Sequence, residues 1–224
     1  MKGTARIVID RDVLGIEQNG KFRPAEGLIS HVAEDIDNEA ARWLLDLFGI
    51  NYGRVKYVSV GEGGLVDRKK PIEHLEAGWI LLDVGGAGEK CNIDNLIHLD
   101  HDHSAKNTRC STTIVFDLIF SSGYSMEPAK KEALLKILKF VENRDLRGGQ
   151  QFFDLAHLVK ELNTKITENK LYKRVKDALD FYLDNFGKQP NVELFEKLVL
   201  EVFAEKHIFY DDLDSKEPLK RYLR

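Results

Sequence analysis

Three stretches of the chain carry side chains that can do chemistry. In the first, His31, Asp35 and Asp37 stand within the run HVAEDID, at the end of the predicted strand Gly27 to Ser30. An imidazole and two carboxylates at a strand end project into the crevice where open α/β sheets bind ligands. An aspartate before an apolar helical stripe also serves as a plain helix cap. In the second, Asp83 follows the wholly apolar Trp79-Ile80-Leu81-Leu82 and precedes Val84-Gly85-Gly86. A carboxylate there is costly unless a cation or hydrogen-bond donors meet it, and paired glycines let the backbone bend close to what it holds. The plainer alternative is a turn acid that bonds its own loop amides.

The third stretch, His98-Leu99-Asp100-His101-Asp102-His103, places three histidines and two aspartates in six residues. Strand alternation would put titratable groups on both faces. That pattern suits either a solvated loop or a metal site drawing on mixed imidazole and carboxylate donors. Gathered in one crevice, Asp35, Asp37, Asp83, Asp100 and Asp102 would repel one another strongly, and divalent cations supply the compensating charge. Imidazole plus carboxylate, with no thiolate requirement, favours Mn2+, with Mg2+, Co2+, Fe2+ or Zn2+ as alternatives. The donors suffice for two ions with one acid shared.

The elements that must position these groups follow from periodicity. Short apolar runs alternate with helical patterns before Gly148-Gly149: 27–31 then 40–48, 55–60 then 71–77, 79–84 then 93–99. This alternation predicts βαβ units and an α/β fold with a mainly parallel sheet flanked by helices. Residues 79–82 are apolar at every position, as in a strand covered on both faces. A helix is predicted over 38–48, closed by Gly49. A second opens near Ser111 or Thr112 and runs through Val115, Leu118 and Ile119. A third, entered through Pro128, is expected to bury Leu134, Leu135, Ile137, Leu138 and Val141. Beyond residue 150 the spacing of apolar residues predicts helices over 152–162, 171–186 and 192–203. The expected division is therefore 1–149, a metal-binding α/β domain, and 150–224, a helical C-terminal region. The cations Lys165, Lys170, Lys173, Arg174 and Lys176 read as a solvated helix face ahead of a phosphate-binding patch.

Composition narrows the function classes. The 224 residues are 43% hydrophobic and 31% charged, enough for a sizeable core, and no apolar run approaches a bilayer span. Disorder, collagen and membrane insertion are excluded as readings, and the charged N-terminus does not resemble a signal peptide, so a cytoplasmic location is expected. The 33 basic and 37 acidic residues give a net charge of -4, so any nucleic-acid contact must be local. Cys91 and Cys110 are too few for a disulfide framework and read as packing residues. Gly61-Glu62-Gly63-Gly64 lacks the Lys-Ser/Thr ending of a phosphate-binding loop and reads as a turn. His74, His157 and His207 read as surface or packing histidines.

At its chemical residues the chain resembles the DHH phosphoesterase superfamily, which includes manganese-dependent pyrophosphatases, single-strand exonucleases and oligonucleotide or cyclic-dinucleotide phosphodiesterases. The match runs in order over residues 27–149. His31-x3-Asp35-x-Asp37 is similar to the family's first motif, Asp83 to the isolated acid of the second and Asp100-His101 to the start of the DHH signature. Ser111-Thr112-Thr113-Ile114-Val115 is similar to the hydroxyl-rich helix start that follows, and Asp145 stands where the fourth acid belongs. The phrases LDVGG and LDH further resemble the melanocyte-proliferating-gene-like exonuclease branch. The resemblance implies that His31, Asp35 and Asp83 hold one metal and that Asp37, Asp83, His101 and Asp145 hold the other, with Asp83 bridging.

The chain departs from the family at Asp102, which replaces the second histidine of the signature, with His103 following. Residues 150–224 also lack the GGGH phrase of the usual second domain, leaving Arg144 and Arg147 beside Gly148-Gly149 as the nearby anion contact. The implied activity is hydrolysis of a phosphodiester or phosphoanhydride by a two-metal mechanism, with His103 or Asp102 handling a proton. The implied partner is a phosphorylated small molecule or a single-stranded nucleic acid, and homo-oligomerisation is left open. The amides at the start of the helix near Ser111 either contact the phosphate or are capped. Two further readings stay open: a noncatalytic metal- or nucleotide-binding protein of the same fold, and an interaction protein whose helical half binds a partner.

Overall fold

The computed structural model describes residues 5–32, 35–59, 65–84, 96–100, 109–147 and 168–184. Six strands and five helices lie within them: β1 (Arg6–Asp10), β2 (Val13–Gln18), β3 (Lys21–Pro24), β4 (Gly27–His31), α1 (Ile36–Leu47), β5 (Arg54–Val58), α2 (Pro71–Glu76), β6 (Trp79–Leu81), α3 (Ser111–Ser121), α4 (Pro128–Arg147) and α5 (Glu168–Asp184). Mixed strands and helices are present as expected, but the strands form two sheets, one parallel and one antiparallel.

The parallel sheet has β4 at its centre, flanked by β5 and β6. Its faces alternate: Leu28, Ile80 and Leu82 enter the main core, while Ile29 and Leu81 pack with Val66 and Val84 on the other side. The sheet is thus covered on both faces, which is why residues 79–82 contain no polar position. Leu99 extends the sheet beyond β6. It pairs in parallel with Leu82, donates its amide to the Leu81 carbonyl at 2.8 Å and accepts from the Asp83 amide at 3.0 Å. This corrects the helical reading of 93–99 at its final residue: Leu99 joins a sheet because its backbone groups are bonded across to β6, and 93–95 lie outside the described residues.

The antiparallel sheet β1-β2-β3 corrects the expectation of a mainly parallel architecture. The charges near the N-terminus alternate with apolar residues, so Ile7, Leu14 and Ile16 reach the main core while Arg6 and Glu17 pair outside at 3.2 Å. Both hairpins close through two residues with positive φ, Arg11-Asp12 (47° and 61°) and Asn19-Gly20 (54° and 70°). Two such residues in succession match the right-handed twist of the paired strands.

The helices cover the parallel sheet. α1 is buried along most of its length, including Ile36, Ala40, Ala41, Trp43, Leu44 and Leu45. α4 presents the stripe Ala133, Leu134, Ile137, Leu138 and Val141 to the core, whereas Leu135 is 46% exposed, contrary to its expected burial. Its position between the buried Leu134 and Ile137 turns it off that stripe. α5 packs into the same core through Leu171, Val175, Leu179 and Leu183. Trp43 Nε1 donates to Asp180 Oδ1 at 2.8 Å, Tyr172 OH donates to Asp46, and the Arg42 guanidinium lies 3.7 Å from the centre of the Tyr172 ring. Along α5, Lys173 pairs with Asp177 and Lys176 with Asp180 one turn on. The expected helices over 152–162 and 192–203 lie outside the described residues. No described helix is long and apolar enough to cross a membrane.

Candidate metal centre

The carboxyl ends of the parallel strands converge at one rim. β4 ends at His31, β6 is followed by Asp83, and Asp100 follows the bridge residue Leu99. The loop leaving β4 is fixed by Asn38 in the first turn of α1, whose Nδ2 donates to Ser30 Oγ at 2.5 Å and to the Leu82 carbonyl at 3.4 Å. Asp35 is the N-cap of α1, its Oδ1 accepting from the amides of Asp37 at 2.9 Å and Asn38 at 3.2 Å. Those ties hold the acids of the loop over the strand ends.

Two groups of candidate ligands result. One atom each from His31, Asp35 and Asp83 lies within 4.8 Å of the others, and the same holds for Asp37, Cys110 and Asp145. His31 Nε2 is 3.5 Å from Asp83 Oδ2. Asp83 has φ of 52°, a left-handed conformation that aspartate tolerates better than most residues. Asp145, half-buried, stands on α4 four residues after the buried Val141, on the same helix face, and its carboxylate reaches the group with Asp37 and Cys110. Asp37 is completely buried and spans from α1 to α3: its Oδ2 accepts from the Ser111 amide at 2.7 Å and its Oδ1 from the Thr112 amide at 2.8 Å. Of the two readings for the amides at the start of α3, capping is therefore what the Ser111 and Thr112 amides do. The Ser111 hydroxyl donates to Asp83 Oδ1 at 2.9 Å and so links the two groups.

The electrostatics follow from packing acids together away from water. Burial raises the Asp83 carboxyl well above its ordinary value, and Asp35, Asp37, Asp100 and Asp145 push it further. Burial likewise pushes Asp145 up to about 8, with Asp37, Asp35 and Asp100 adding to the shift. Asp35 is raised by burial and by Asp37, against the amides of Asn38 and Asp37, which favour its charged form. Burial lowers His31 despite the acids around it, leaving the imidazole neutral and able to bind a cation. In the ion-free cluster the packing of Asp35, Asp83 and Asp145 thus favours their neutral forms. A divalent ion would instead favour their charged forms, and the donor set of imidazole and carboxylates is one such ions accept. The residues present fit a divalent metal.

Cys110 is the member of the cluster that its sequence position did not single out beyond packing. It is buried in the core, and burial together with Asp37 pushes its thiol far up, so without a metal it stays protonated. His98 and Asp100 are both buried, the Asp100 amide donating to His98 Nδ1 at 3.3 Å. His74 is a packing histidine whose Nε2 lies 3.1 Å from the Val66 carbonyl. Arg144 sits on α4 with its guanidinium 5.7 Å from the centre of the Phe140 ring, and Arg147 ends that helix. His101, Asp102, His103, Gly85-Gly86 and Gly148-Gly149 lie outside the described residues, as do Cys91, His157 and His207. Comparison of the chain with protein families, with curated proteins and with solved structures finds no match.

Proposed function

We propose that this chain is a metal-dependent phosphohydrolase of the DHH phosphoesterase type, cleaving a phosphodiester or phosphoanhydride by a two-metal mechanism. The observation that carries the reading is the meeting of His31 and Asp35 with Asp83, which is remote from them in sequence, within 4.8 Å at the rim of a parallel sheet. Asp37 and Asp145 meet alongside them. In this reading His31, Asp35 and Asp83 hold one ion, while Asp37, Asp83, His101 and Asp145 hold the second. Mn2+ suits the imidazole and carboxylate donors, with Mg2+, Co2+, Fe2+ or Zn2+ as alternatives.

Bound divalent ions would neutralise phosphoryl oxygens and lower the pKa of a water toward neutrality. The chain's own residues do the rest. Asp37 cannot swing freely, because two amides of α3 hold its oxygens. Asp35 is held by its capping bonds, and Asp83 by the hydrogen bond its backbone N–H donates to the Leu99 carbonyl and by the Ser111 hydroxyl. Such preorganised acids need no rearrangement to meet an ion. His103 or Asp102 would handle the proton, and Arg144 and Arg147 would face the anionic substrate, a phosphorylated small molecule or a single-stranded nucleic acid in the cytoplasm.

The test is hydrolysis by the Mn2+-loaded protein of bis-p-nitrophenyl phosphate, a labelled single-stranded oligonucleotide and pyrophosphate. Turnover on at least one, abolished by Asp83→Ala in a protein that still folds, is the expected outcome. Stoichiometric ion uptake without turnover on any of the three would favour a noncatalytic metal- or nucleotide-binding protein, for which the replacement of the signature's second histidine by Asp102 argues.

A further inference from the structure

Ser111 hydrogen-bonds to one carboxylate of each ligand group. It is completely buried at the first position of α3. Its amide donates to Asp37 Oδ2 at 2.7 Å and its hydroxyl to Asp83 Oδ1 at 2.9 Å. Asp37 belongs to one group and Asp83 to the other, so this one buried residue bears on both carboxylates. We propose that Ser111 is a positioning residue for ion binding, orienting the Asp83 carboxylate so that both groups can be filled together. The inference rests on the two-ion reading above.

A serine hydroxyl has one proton to donate, and here it goes to Oδ1, leaving Oδ2 at 3.5 Å from His31 Nε2. The backbone of Asp83 is tied to Leu99 at 3.0 Å and the carboxylate to Ser111, so the side chain is held at both ends. Ser111 is itself immobilised, because Thr112 is bound to Asp37 twice, through its amide and through Oγ1 to the Asp37 carbonyl at 2.8 Å. Groups that hydrogen-bond a ligating side chain fix its orientation, and losing one commonly weakens metal affinity by about 10–100-fold. Alanine at 111 removes the hydroxyl while keeping the amide bond to Asp37, which isolates the contribution to Asp83.

Mn2+ titrations of the native chain, Ser111→Ala, Ser111→Thr and Ser111→Cys, at a temperature where each is folded, decide the matter. The dissociation constants and the electron paramagnetic resonance spectra of bound Mn2+ are the readouts. Ser111→Ala should weaken Mn2+ binding by about 10–100-fold with an altered spectrum at saturation, Ser111→Thr should restore native affinity, and Ser111→Cys, a weak donor, should fall between. A merely structural role would lower the melting temperature without moving either readout, and native-like affinity and spectrum in Ser111→Ala would overturn the proposal while leaving the two-ion reading intact. Should Ser111→Ala not fold, Ser111→Cys is judged by the same criterion. A native chain that takes up no Mn2+ would overturn both.

Discussion

Asp35 and Asp37, separated by one residue, cap two different helices. Asp35 accepts from the first amides of α1, and Asp37 accepts from the first amides of α3. The cap reading and the ligand reading of Asp35 can be separated by substitution, since serine caps a helix nearly as well as aspartate but brings no charge. Asp35→Ala should cost about 0.5–2 kcal/mol of stability in the ion-free protein, whereas Asp35→Ser should be close to native. Both should bind Mn2+ poorly. Urea unfolding in chelator and Mn2+ titration check this, and native Mn2+ affinity in Asp35→Ser would remove Asp35 from the ligand set.

Carboxyl groups raised by burial make the ion-free protein's stability depend on pH in an unusual direction. Asp145 is raised from 3.8 to about 8. Between those values the folded chain binds a proton that the unfolded chain releases, so this group's contribution is full below about pH 4, declines as pH rises and is lost above about pH 8. Asp83 acts in the same direction. The native protein minus Asp145→Asn, compared by denaturant unfolding in chelator from pH 4 to 9, should show stability falling with pH. A difference that is flat or rises would contradict the electrostatic account of the site.

The packing of α5 on α1 is open to a core truncation. Leu179 is 1% exposed in the cluster shared with α1 and α4. Leu179→Ala should therefore cost about 2–5 kcal/mol. A loss within about 0.5 kcal/mol, as at an exposed surface position, would show that α5 does not share the core.

Much of the positioning apparatus was legible in the chain. Apolar periodicity marked α1, α3 and α4, and the unbroken apolar run 79–82 marked a strand buried on both faces. The N-terminal sheet was less legible, because charged residues interrupt the apolar alternation of residues 6–10, although Asn19-Gly20 carries a hairpin signal. The grouping of His31, Asp35 and Asp83 depends on strand order, which periodicity does not encode. Cys110 entered the cluster unannounced because nothing local marks a cysteine before a helix as facing acids on α1 and α4. The link from Ser111 to both Asp37 and Asp83 is a tertiary contact between segments remote in sequence, so only their coordinates reveal it.

The central claim is that these acids and His31 exist to hold divalent cations. Thermal unfolding of the chelated and then Mn2+-reloaded protein, with the bound metal counted by elemental analysis, tests it most directly. At an Mn2+ concentration of about 100 times Kd, linkage gives roughly 2.7 kcal/mol, which for a chain of this size raises Tm by about 5–10 °C. The account predicts stoichiometric Mn2+ and a rise of that order, lost in Asp83→Asn. Reloaded protein with no bound metal and an unchanged Tm would contradict it.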